Sequence, residues 1–103
     1  MSTKHHNEIA IKELLIEQGV LGKHIKLDTG SQDPLYGRIY DDSIGELIAT
    51  TGHHEGISIE IDGQEIVFDN IHSQGILRLV WMQNLYSPLL DAGGRYEIIE
   101  NEF

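Results

Sequence analysis

The sequence predicts an α+β domain: an N-terminal amphipathic helix packed on a small, strongly bent antiparallel sheet or partly closed barrel of about five to six strands. Three observations predict it. Residues 7–19 carry apolar side chains at helical spacing, residues 57–68 alternate around an Asp-Gly pair, and short β-rich runs recur between turn formers to the end of the chain. With 103 residues there is room for one domain, 1–103, and one thin core.

The elements follow in order. Asn7 is a fitting N-cap, and Glu8 suits the positive end of a helix dipole. Ile11, Leu14, Leu15 and Leu21 fall on one face, and Glu8 with Lys12 makes a favourable i, i+4 pair. Gly19 or Gly22 ends the helix. His24 to Leu27 alternates as a strand, and DTGSQDPLYG at 28–37 is a loop rich in turn formers. Tyr36 to Tyr40 and Glu46 to Thr50 read as strands around a turn at Asp41-Asp42-Ser43, and TGHHEG at 51–56 reads as a second loop.

The hairpin is the clearest element. A type I′ turn needs positive φ at both central residues, which Asp62-Gly63 supplies. A two-residue turn sets Ile59 against Ile66 and Ile57 against Phe68, one apolar face. It also sets Glu60 against Glu65, a like-charge pair that costs up to about 1 kcal/mol. Beyond it, Ile76 to Met82 reads as a strand because β-branched and aromatic residues fill it, with Trp81 in the core. Ser87-Pro88 matches an N-cap followed by Pro at the first helical position, and Arg95 to Glu100 can close the sheet.

The stretch GISIEIDGQEIVFDNI, residues 56–71, resembles the hairpin and following turn of SH3-like and Sm-like barrels. That resemblance implies a barrel form for the sheet. Sm-like proteins that bind RNA need basic or aromatic surfaces, and here the outer face of the hairpin is acidic.

Charge limits function. The chain carries 7 Lys and Arg against 17 Asp and Glu, a formal net charge of −10. Lys4, Lys12, Lys23 and Lys26 lie before Asp28; only Arg38, Arg78 and Arg95 follow it. Such a field repels phosphate backbones, so no direct nucleic-acid binding is expected. It favours fast encounter with a basic protein partner. No run is long and apolar enough to span a bilayer, and the opening residues lack a signal-peptide pattern, so a cytoplasmic location without membrane attachment is expected. Without Cys there is no disulfide framework, thiolate zinc site or cysteine nucleophile.

Three constellations carry chemistry. Asp41, Asp42, Glu46, Glu60 and Glu65 form an acidic set, with Tyr36 and Tyr40 as aromatic anchors for a partner. This pattern points to a non-enzymatic binding module, an inhibitor, immunity or antitoxin-type protein or regulator, that occupies a basic surface. It requires no cofactor and leaves a homodimer possible. The alternative is a small-molecule or metal-binding domain using His53-His54-Glu55, with His72 as a third imidazole. A remoter alternative rests on Asp28-Thr29-Gly30-Ser31, which resembles the signature of aspartic proteases. That resemblance implies Asp28 as a catalytic carboxylate paired with a second Asp, with Thr29 and Gly30 in the supporting loop.

Overall fold

The computed structural model describes residues 12–103. Two antiparallel sheets make up most of it. The strands are β1 (Gly22–Asp28), β2 (Ile39–Asp41), β3 (Glu46–Ala49), β4 (His53–Ile61), β5 (Gln64–Phe68), β6 (Ile76–Leu77), β7 (Leu85–Tyr86) and β8 (Glu97–Glu102). Two short helices, α1 (Arg78–Asn84) and α2 (Pro88–Asp91), bracket β7. The larger sheet has the order β6-β5-β4-β1-β8, and the smaller β3-β2-β7.

The chain divides into two compact units. The first comprises residues up to Ile25 together with Glu55–Arg78 and Glu100–Phe103. Its apolar centre is Ile25, Ile57 and Val67, all fully buried. The second comprises Lys26–His54 and Leu79–Ile99. Its centre is Leu27, Ile39, Trp81 and Leu85. Each fully buried aliphatic or aromatic side chain contributes about 1.5–3 kcal/mol.

The β4–β5 hairpin has the register its turn dictates. Ile57 pairs with Phe68, Ile59 with Ile66 and Glu60 with Glu65. Asp62 and Gly63 both take positive φ, 52° and 79°. The Ser87 hydroxyl caps α2 by accepting from the Leu89 amide, with Pro88 opening the helix.

The expected fold class is overturned. A long amphipathic helix packed on one bent sheet or SH3/Sm-like barrel is not what forms. Asn7, Glu8 and Ile11 lie outside the described residues. Among those described, helix runs only over 12–17, and two residues of its expected apolar face stay open to solvent, Leu14 at 56% and Leu21 at 81% exposure. Burial against a sheet stabilises an amphipathic helix, and here that burial is missing at both positions.

The strands also regroup into two sheets. β2 pairs antiparallel with β3 on one side and with β7 on the other. The segment expected as one strand over 76–82 pairs with β5 for two residues only, Ile76 and Leu77, and then turns into α1. Leu79 and Val80 are exposed on that helix while Trp81 is buried. Arg78, Leu79, Met82 and Gln83 are good helix formers, and the helix they permit seats Trp81 in its core. Two boundaries move. The loop expected over 51–56 is strand from His53, and β2 starts at Ile39, which leaves Tyr36 in a turn.

Candidate functional site

In the first unit, β5, β4, β1 and β8 are consecutive neighbours in the sheet, and their polar side chains form a row across it. Ser58 on β4 donates its hydroxyl to Glu65 on β5 at 2.5 Å. Arg78, the opening residue of α1, donates to Glu65 at 2.8 Å and to Glu100 on β8 at 2.6 Å. Lys23 on β1 completes the row with its ammonium 3.5 Å from Glu100. Burial would raise the Glu65 pKa, but the Ser58 hydroxyl and the Arg78 guanidinium together hold it below the usual carboxylate range. The hydrogen bond from Arg78 is the main reason that the Glu100 carboxyl is lowered as well.

This row resolves the conflict read from the hairpin register. Glu60 and Glu65 do face each other across the strand pair. Glu65 turns toward Ser58 and Arg78, which takes up its charge, while Glu60 remains exposed.

Beside the row opens a cleft of about 280 Å³. Its walls are Leu21, Ile59 and the Phe103 ring, and Glu60, Glu65 and Glu102 face it together with Lys23 and Ser58. Gly22 shapes it. A Cβ there would lie 2.6 Å from the Ser58 carbonyl oxygen and 2.8 Å from the Phe103 ring, so only glycine lets the chain run this close. Phe103 is tied to Gly22 by two backbone hydrogen bonds, the shorter 2.9 Å from its own amide to the Gly22 carbonyl. The site is thus an apolar slot with a predominantly acidic lining.

The same unit holds a buried pair. His24 Nε2 and a Glu55 carboxylate oxygen are hydrogen-bonded, with side chains only 7% and 8% exposed. A carboxylate in this position fixes the orientation of the imidazole, the relation seen between a catalytic base and the group that orients it. In the same unit Asp69 is buried and accepts from the Ile71 and His72 amides.

The second unit uses its acids differently. Asp41 is fully buried, and its carboxylate accepts from both the amide and the hydroxyl of Ser43. It therefore cannot meet a partner, contrary to its expected role. Asp42 and Glu46 are exposed. Tyr40 is half-buried with its ring 5.9 Å from that of Tyr86, whose hydroxyl donates to Asp91. Tyr36 is half-buried in the turn and donates its amide to Asp33 at 2.7 Å. Of the seven expected contact residues, Glu60 and Glu65 belong to the first unit and the other five to the second.

The histidine and DTGS readings lose their geometry. His53 and His54 are successive residues of β4, so their side chains take opposite faces; His53 is half-exposed and His54 fully buried, its ring 5.9 Å from that of Trp81. Among the described residues no group of three or more His, Asp or Glu side chains is placed to hold a metal ion. Asp28 accepts from the Gly30 amide at 2.7 Å, and the Thr29 hydroxyl donates to the Ser31 carbonyl, which is a local turn. The side chain facing Asp28 is His53, 3.6 Å away, and not a second carboxylate.

Sequence reading missed Arg78, Lys23, Glu100, Glu102 and Phe103. One signal pointed to Arg78: it is the only basic residue between Arg38 and Arg95, set among acids that need a counter-charge.

No curated protein and no solved structure matches the chain. A family model does match, over residues 5–86, which is most of the chain and includes the hairpin, β1 and Arg78. The chain belongs to the family described as papain fold toxin 2.

Proposed function

We propose that this toxin-type domain acts by occupying a basic surface of a partner protein, which docks on the acid-lined cleft of the first unit. The observation that carries the reading is the cleft itself: an apolar slot lined by the exposed Glu60 and Glu102 carboxylates, by Glu65, whose charge Arg78 takes up, and by the Lys23 ammonium. Glu60 is exposed there, and the net charge of −10 draws a cationic partner from a distance. Apolar walls within an acidic rim give both desolvated contact area and charge complementarity.

Family membership bears on the chemistry. Papain-like catalysis works through a cysteine thiolate beside a histidine. The 103 residues contain no cysteine, so thiol chemistry would need a nucleophile from outside them. A role in binding requires nothing that these residues lack.

The test uses an immobilised full chain and a peptide rich in lysine and arginine, with affinity measured across a salt series. Affinity should fall steeply as salt rises and at least tenfold further in the double variant Glu60→Lys, Glu102→Lys. Binding that ignores both salt and the double substitution overturns the proposal.

A further inference from the structure

One wall of the cleft is an aromatic ring that a cation of this chain already approaches. The ammonium of Lys12 lies 5.8 Å from the centroid of the Phe103 ring, within cation–π range. That same ring is a wall of the cleft, and its position is set by the backbone bonds to Gly22 and by the absence of a Cβ there. A fixed aromatic face beside the exposed Glu60 carboxylate, with Glu65 and Glu102 close by, is the arrangement that binds an alkyl-ammonium or guanidinium head. The aliphatic stem of such a side chain would lie against Leu21 and Ile59, the aliphatic residues lining the cleft.

We infer that the cleft is a receptor for a single lysine or arginine side chain of the partner, seated on Phe103, and that Lys12 of this chain competes for the same ring. This rests on the proposed basic partner and sharpens it: binding depends on an aromatic face and not on summed charge alone. A purely electrostatic surface would be indifferent to Phe103. A seated side chain is not.

The experiment measures dissociation constants by NMR titration of the full chain with tetra-arginine, tetra-lysine and the neutral isostere tetra-citrulline. Phe103→Leu keeps apolar bulk and net charge but removes the ring face, and should weaken both cationic peptides about two- to fivefold with an unchanged salt slope. Phe103→Trp should bind at least as well as the native chain, since Trp is the strongest cation–π partner. Lys12→Gln should tighten binding by a similar small factor in the native chain and by less in the Phe103→Leu background, where only the change in charge remains. Circular dichroism confirms that each variant is folded, and the Trp variant and Lys12→Gln keep the test open if Phe103→Leu is not. If Glu60→Gln weakens binding while the Phe103 and Lys12 variants leave it unchanged, the seat on the ring is wrong and the acidic docking surface stands. If Glu60→Gln also changes nothing, or tetra-citrulline binds equally well, both fall.

Discussion

The two units put carboxylates to opposite uses. In the second, Asp28, Asp33 and Asp41 fold back on their own loops, accepting from amides two or three residues ahead. In the first, glutamates on strands reach sideways: Glu55 to His24, Glu65 to Ser58 and Arg78, Glu100 to Arg78 and Lys23. Side-chain length makes the difference. An aspartate carboxylate sits close enough to its backbone to replace a turn hydrogen bond. A glutamate on an extended strand points away from its backbone and must find a neighbour or water. Asp69 obeys the same rule inside the first unit, accepting from the Ile71 and His72 amides. Acid count therefore overstates the surface available for docking in both units.

That comparison can be broken at several points. The largest effect is expected from Glu55→Ala, which leaves His24 buried beside a lost partner. Losing the hydrogen bond to a buried carboxylate costs about 1.5–3 kcal/mol and the cavity left behind adds to it, read as a shift of the urea midpoint. Asp41→Ala should follow at about 1–3 kcal/mol, because the part-buried hydrogen bonds from the Ser43 amide and hydroxyl to the buried carboxylate are lost. Affinity for a cationic peptide should not change in that variant. A loss of affinity equal to that of Glu60→Gln would show that Asp41 is a contact residue after all.

The pH dependence separates the units further. The Glu65 and Glu100 carboxyls are lowered on folding, so their contribution to stability is present above the ordinary glutamate range and lost as pH falls through the folded values. Melting temperature should drop on acidification below about pH 4.3, and Arg78→Ala should flatten part of that drop. An unchanged acid profile in Arg78→Ala would mean that Arg78 does not set these pKa values. The smallest effect belongs to Glu60→Gln. Its carboxylate is exposed, so stability should stay within about 0.5 kcal/mol while cationic binding weakens.

The sequence by itself determined features written within a few residues. The two-residue turn at Asp62-Gly63 fixed the whole β4–β5 register, because positive φ at both positions admits one hairpin geometry and alternation then decides the faces. Ser87-Pro88 determined the start of α2 in the same local way, and the charge imbalance was plain from counting. Tertiary structure decided the rest. Whether 76–84 extends or coils depends on Trp81 reaching its core, and whether Asp41 faces water depends on which strands flank β2. The cleft joins β1, β4, β5 and the Phe103 ring, residues up to 82 positions apart in the chain, and no local pattern carries information about such a meeting. Short-range rules act through backbone geometry and nearest neighbours. A site exists only once distant strands are packed side by side.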